Sequence, residues 1–212
     1  MSNGSNLVDA CEALFLEHGD TYLGQGWTKS QENTDARYDV MLNLTNGRRE
    51  TVSLLDFGCG TGHLLEYMIR QGINDIEYSG LDVSERFIDV ARAKHPGVRF
   101  YLGDILDSDI DVPIFDYVIM NGLFTYKGSL SFDEMATWWQ RLMSAATRHA
   151  RVGVAFNVTS PYVDWQRDDL FHVPISLLTD VVADGPCPYF VVRHDYGLYE
   201  STVFAYRSPT KS

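Results

Sequence analysis

The stretch Leu54–Leu64, LLDFGCGTGHL, decides how the rest of this chain is read. An apolar run (Val52, Leu54, Leu55) has the character of a buried parallel strand. It ends at Asp56, turns through Gly58, Gly60 and Gly62, and resumes at helical spacing with Leu64, Leu65, Met68 and Ile69. The pattern is strand, glycine turn, helix. Glycine accepts positive φ and has no Cβ, so the backbone of such a turn can approach a ligand closely. The helix that follows directs its unpaired N–H groups and positive dipole end into the same space. A small anionic or polar ligand is expected there.

Working outward, strands and helices alternate almost to the end of the chain. The strand Val52–Phe57 and a helix from Thr61 to Gln71, closed by Gly72, are followed by a strand Ile76–Leu81 and a helix Ser84–Lys94, closed by Pro96-Gly97. Short strands follow at Val98–Leu102 and Phe115–Met120. Ser131 and Glu134 form a capping box for a helix to about Arg148, whose stripe of Met135, Trp138, Trp139, Leu142, Met143 and Ala146 reads as core. A fifth strand at Val152–Phe156 and a helix at Pro174–Ala183 precede two strands, Tyr189–His194 and Thr202–Tyr206, around a Gly-X turn at Gly197-Leu198. Serial β-α units give a doubly wound α/β sheet of seven strands, mostly parallel, with the closing hairpin supplying one antiparallel strand.

Upstream, Met1–Asn6 is expected to fray, Leu7–Glu17 has the spacing of a short amphipathic helix, and Gly19 should stop it. Gly19–Asn33 reads as a polar, glycine-rich loop that nevertheless holds Tyr22 and Trp27. Thr34 is expected to cap a helix from Asp35 to about Leu44, ended by Asn46-Gly47. Residues 1–50 are therefore an N-terminal helical lid segment and residues 51–212 the ligand-binding unit of a single domain. The two aromatics either close over the ligand or pack this segment onto the sheet.

The chain has 212 residues, enough for one such domain, with 17 Lys and Arg against 29 Asp and Glu and a formal net charge of −12. Neutralising phosphates needs clustered Lys and Arg, so a nucleic acid is not the expected partner, and an anionic membrane surface is disfavoured likewise. The cysteines, Cys11, Cys59 and Cys187, are widely spaced without a CxxC and read as reduced thiols. No export signal or spanning segment is evident, and the expectation is a cytoplasmic protein.

Ligands of open α/β sheets lie outside the carboxyl ends of the strands, near the point where strand order reverses. The residues that follow the strands are Asp56 with its glycines, Asp82, Asp104, Asn121 with Gly122, and Asn157. Asp82 lies about twenty residues past the glycine turn, where a carboxylate can accept both hydroxyls of a ribose.

Asp56-Phe57-Gly58-Cys59-Gly60-Thr61-Gly62, then Gly80–Ser84 (GLDVS), Gly103–Ile105 (GDI) and Phe115–Gly122 (FDYVIMNG), resemble the ordered motifs of class I S-adenosylmethionine-dependent methyltransferases. The resemblance covers about Val52 to Phe156 and implies a Rossmann-like fold with S-adenosylmethionine as cofactor. By position it assigns Asp56 and the loop of Gly58, Cys59, Gly60 and Gly62 to the methionine end. Asp82 falls to the ribose and Asp104 to the adenine amino group, with Val83 and Ile105 on the adenine faces. Asn121 joins this set. The segment after Gly19, with Gly26-Trp27, Gln31 and Arg37-Tyr38, more weakly resembles a leading segment of a bacterial subgroup. Trp27 and Arg37 are accordingly expected at the cofactor, Trp27 as an aromatic contact and Arg37 as a partner for the methionine carboxylate. A dinucleotide fingerprint wants GxGxxG, whereas His63 and Leu64 follow the GxGxG here, which leaves NAD as the lesser reading.

The expected reaction is in-line methyl transfer to a small polar acceptor, such as a sugar or another natural-product intermediate. Positioning contributes most of the acceleration, because the sulfonium is already an activated leaving group. Asn121-Gly122-Leu123-Phe124 lacks the [DNS]-P-P-[YFW] pattern used on planar amides and nucleobase amines. A hydroxyl acceptor would need a base. His194, with Asp195 beside it, is the first candidate and Tyr126 the second, with Lys127, Asp164 and His172 as rivals. None of these has metal-ligand spacing, and no metal is expected. A sensor that binds the cofactor without transfer is the alternative.

Overall fold

The computed structural model describes residues 5–27, 30–45, 50–107 and 110–210. Two helices, α1 (Ser5–His18) and α2 (Gln31–Leu42), and a 3-10 turn at Asn43–Thr45 precede the sheet. The β-α units then follow: β1 (Val52–Phe57), α3 (His63–Gln71), β2 (Ile76–Asp82), α4 (Glu85–Lys94), β3 (Arg99–Leu102), β4 (Phe115–Phe124), α5 (Phe132–Arg148) and β5 (Ala150–Thr159). The chain closes with α6 (Ile175–Ala183), β6 (Tyr189–Arg193) and β7 (Glu200–Tyr206). The strand order is β3-β2-β1-β4-β5-β7-β6, and only β7, paired on both sides with opposite sense, is antiparallel. Order reverses between β1 and β4, which places the end of β1 and its glycine turn beside the end of β4.

Successive strand residues point to opposite faces, and this divides the core in two. Leu55, Phe57, Val118 and Met120 pack under α5 and α6 with Trp139, Leu142 and Leu178. Leu54, Tyr117 and Ile119 face the other way, against Met41 of α2, Leu64 and Met68 of α3, and Ile88 of α4. Trp139 is fully buried among Phe124, Phe156 and Phe171. Trp138, expected beside it in the core, is only partly buried: it packs edge-on to Phe124 and turns its other side outward.

The structure corrects several boundaries. Helix α1 includes Ser5 and Asn6, so fraying does not extend through Asn6; Met1–Gly4 lie outside the described residues. Helix α2 starts four residues earlier than Thr34 would have it. Ser30, in extended conformation, accepts from Asn33 N–H, whereas the Thr34 hydroxyl donates back to the Ser30 carbonyl and is fully buried. The helix gives way to the 3-10 turn at Asn43; Asn46 and Gly47, the expected stop, lie outside the described residues. Helix α3 begins at His63 because Gly62, at φ 87°, is its left-handed N-cap. The last hairpin is wider than a Gly-X turn: pairing stops at Arg193–Thr202, and residues 194–199 form the connection. The Ser131–Glu134 capping box is present as read.

Candidate functional site

A cleft of about 1350 Å³ opens at the carboxyl ends of β1, β2 and β4, with Leu7, Val8, Cys11 and Leu14 of α1 along one wall. Its floor is the glycine turn. Gly58 and Cys59 donate to the Leu81 carbonyl at 2.7 and 3.1 Å, which ties the turn to the end of β2. Gly60 donates to Asp82 Oδ2 at 2.9 Å, and Ser84 N–H donates to Asp82 Oδ1 at 2.9 Å. Asp82 thus does two things at once: it stiffens the turn and lines the cleft. Burial raises its carboxyl above the ordinary value, and the N–H groups of Ser84, Gly60 and Val83 oppose that rise.

Asp56 is buried at the end of β1 and accepts the Tyr78 hydroxyl on Oδ2 at 2.8 Å. Burial pushes its pKa up to about 7, Tyr78 pulling it down and the nearby Asp82 adding to the rise. Asp104, after β3, accepts Leu106 N–H on Oδ1 at 2.9 Å and also lines the cleft. Val83 is exposed in the cleft wall. Ile105 is not in that wall; it is 1% exposed in the core beneath α5, and its neighbour Leu106 lines the cleft instead. The Cys59 thiol is buried, with burial the main cause of its raised pKa, so it is a protonated packing group in the turn.

At the β1–β4 junction, Asn121 is 9% exposed and lines the cleft, and neither its Oδ1 nor its Nδ2 has a hydrogen-bond partner among the described residues. A buried amide left without partners is costly, and such a group in the lining of a cleft marks a candidate contact for a bound molecule. Next to it Gly122, at φ 84°, lies so close under Trp27 that a Cβ there would sit 2.5 Å from the indole. Trp27 lines the cleft and stacks over the Arg37 guanidinium at 4.9 Å.

Arg37 itself does not reach the cleft. It is 8% exposed and bound to Glu200, with Nε and Nη2 at 2.7 and 2.5 Å from Oε1, so its charge is already matched inside the protein. His194 is likewise absent from the lining, and its Nδ1 faces the Glu200 carbonyl at 2.7 Å. Of the two groups read as acceptor-side residues, Tyr126 alone lies in the cleft, 40% exposed. Among the described residues no group of three His, Cys, Asp or Glu side chains is placed to hold a metal ion.

Two groups of residues at the site escaped the sequence reading. Asp20 accepts the Thr61 hydroxyl at 2.6 Å, lies 2.8 Å from His63 Nε2 and pairs with Lys94 at 2.6 Å. Burial works against its charge, yet the bonds from Lys94, Thr61 and His63 hold its carboxyl below the usual value. Gln25 donates to Thr61 Oγ1 at 3.1 Å, and its carbonyl oxygen sits 2.1 Å from where a Cβ on Gly60 would be. Together they latch residues 19–27 onto the glycine turn. Nothing in the sequence distinguishes this Asp and Gln from other polar loop residues. The second group is Trp138 with Arg141 on α5; their i, i+3 spacing puts them on one helix face and could have suggested a shared surface.

A glycine turn at a reversal of strand order, ringed by strand-end carboxylates, defines the nucleotide-type cofactor site of a Rossmann-like sheet. Residues 54–151 match the family model described as a methyltransferase domain. Rv1506c of Mycobacterium tuberculosis, which is named a methyltransferase, is 30% identical over 153 residues, covering 71% of this chain and 90% of that protein. The dTDP-3-amino-3,4,6-trideoxy-α-D-glucopyranose N,N-dimethyltransferase of Streptomyces venezuelae is 33% identical over 96 residues, 43% of this chain and 38% of its own length. Among solved structures, magnesium protoporphyrin IX methyltransferase of Synechocystis PCC 6803 with bound S-adenosylmethionine superposes with a TM-score of 0.67 at 15% identity, covering 98% of each chain. CalS10 of Micromonospora echinaspora, an amino pentose methyltransferase, gives a TM-score of 0.60 at 19% identity, over 94% of this chain and 97% of that one. At those identities the structures show the fold. The chain belongs to the class I S-adenosylmethionine-dependent methyltransferases. It is an enzyme of methyl transfer, and S-adenosylmethionine is its cofactor.

Proposed function

We propose that this enzyme methylates a small polar acceptor, a sugar or another natural-product intermediate, bound in the same cleft as the cofactor. The observation that carries this reading is the size and lining of the cleft. Small-ligand sites typically measure roughly 300–1,000 Å³, and this one, at about 1350 Å³, has room for a second molecule. Beyond the carboxylates, it is walled by Tyr126, Trp138, Arg141 and Leu170, a mixture of flat apolar surface and polar groups. The likeness to an amino-sugar dimethyltransferase supports the choice of acceptor class.

The side chains fit the cofactor chemically. Asp82 would accept the ribose hydroxyls, Asp104 the adenine amino group, and Asp56 would face the ammonium at the methionine end, with Val83 and Leu106 as apolar contacts. The glycine turn lets the backbone approach, and the first turn of α3 faces the same space. When bound, S-adenosylmethionine supplies a methyl group on an activated sulfonium. What the protein adds is alignment and exclusion of water: Trp27 and the latched segment cover the β1–β4 junction, and Tyr126 contacts the acceptor. The test is incubation with methyl-labelled cofactor and a panel of amino sugars, sugar nucleotides and hydroxylated natural products. Label in a sugar or natural-product acceptor is the expected result. Transfer confined to nucleic acid or protein, or none to any small molecule, would overturn the acceptor reading.

A further inference from the structure

Arg37 and Glu200 lie 163 residues apart in sequence and are both almost fully buried. A buried ion pair is an expensive way to hold two elements together, so its surroundings show what it is for. One carboxylate oxygen of Glu200 takes both Arg37 contacts, at 2.7 and 2.5 Å. The other accepts Nδ2 of Asn157, 1% exposed on β5, at 2.7 Å. Asn157 Oδ1 in turn accepts the Gly122 N–H at 2.7 Å. The network therefore begins on α2, crosses β7 and β5, and ends on the peptide that joins Asn121 to Gly122. On the other side of Arg37 lies the Trp27 indole, which roofs that same glycine.

We propose that Arg37 and Glu200 are positioning residues: their pair holds Trp27 as a roof over Gly122 and, through Asn157, fixes the peptide that follows Asn121, a cleft-lining residue whose amide has no partner among the described residues. This rests on the cofactor reading of the cleft and deepens it, assigning to the pair the retention of bound cofactor. A carboxylate is required because both flanking groups donate. An amide in its place offers one acceptor and one donor, so Glu200→Gln must break the chain at Arg37 or at Asn157. The pair touches neither cofactor nor acceptor itself. It acts through Trp27 and Asn121.

The test uses S-adenosylhomocysteine with the full chain, its affinity read by calorimetry and its release by stopped-flow tryptophan fluorescence. Glu200→Gln and Arg37→Met are expected to release it roughly tenfold faster, a difference of about 1.4 kcal/mol. Arg37→Lys, which keeps the charge but makes a single contact, should fall between these and the wild type. Trp27→Phe should bind S-adenosylhomocysteine roughly tenfold more weakly in calorimetry without loss of thermal stability, and should abolish the fluorescence change. Variants that melt lower yet release S-adenosylhomocysteine at the wild-type rate would reduce the pair to a structural tie and overturn the proposal. If the two disruptive variants do not fold, Trp27→Phe and Arg37→Lys decide, and wild-type affinity in both by calorimetry overturns it. A wild type that binds no S-adenosylhomocysteine would instead overturn the cofactor reading of the cleft, and the role of the pair with it.

Discussion

Two carboxylates of the site differ in what surrounds them, and each leads to its own test. Asp82 holds the backbone N–H groups of Gly60 and Ser84 while lining the cleft, so its removal strikes the turn and the ligand together. Charge-assisted hydrogen bonds contribute roughly 1.5–3 kcal/mol, and Asp82→Ala is expected to weaken S-adenosylhomocysteine binding by roughly 10- to 150-fold in calorimetry. An unchanged affinity in a folded variant would remove Asp82 from the ribose. Asp56 carries the pH dependence. Its pKa of about 7 in the folded protein stands above the ordinary value of 3.8. The stability it contributes is therefore full below that lower value and is lost as pH rises through about 7. Binding a cationic group needs the ionised form, so the sign for the ligand is opposite: affinity should rise by roughly tenfold between pH 6 and pH 8, following the ionised fraction. Asp56→Asn should flatten that profile. Affinity independent of pH in the wild type would separate Asp56 from the ammonium.

At the scale of elements, the N-terminal segment behaves as a part fastened to the site. Helix α1 forms one wall, and its Glu12 accepts the Ser84 hydroxyl at 2.6 Å beside Asp82. Residues 19–27 are pinned over the glycine turn by Asp20 and Gln25. We propose that the segment is a lid, which opens to admit ligand and closes to exclude water. Broad-specificity limited proteolysis should cut near residues 19–27 more slowly when S-adenosylhomocysteine is present, and Asp20→Ala should accelerate cutting without ligand. Equal rates with and without ligand would make the segment a static part of the wall. Helices and strands were legible here because their periods and caps are local: the Ser131–Glu134 capping box and the closure of α3 at Gly72 lie where the residue types demand. The start of α2 was not. Ser30 and Thr34 are both competent caps, and the burial of Thr34, a tertiary matter, left Ser30 in that role.

For the whole molecule, ligand binding and folding are linked. The cleft joins α1, the glycine turn and the ends of several strands, so its occupant should stabilise the fold as a unit. S-adenosylhomocysteine at about 100 times its Kd should add roughly 2.7 kcal/mol, which for a domain of this size raises Tm by roughly 5–10 °C. NAD at the same concentration should leave Tm unchanged, and a shift with NAD alone would contradict the cofactor. By itself the sequence determined the alternation of β and α units, the antiparallel strand near the end, the glycine turn and the acids after the first three strands, because each of these follows from local patterning and from where a strand of an open α/β sheet must stop. Which long-range partners meet was decided by the tertiary structure. Arg37, read as a free cation for a ligand carboxylate, is consumed by Glu200; His194 turns to a backbone carbonyl; Ile105 sinks into the core while Leu106 faces the cleft. The physical reason is the same in each case. A buried charge or polar group must find its complement wherever the packed chain supplies one, and no periodicity along the sequence encodes a meeting across 163 residues.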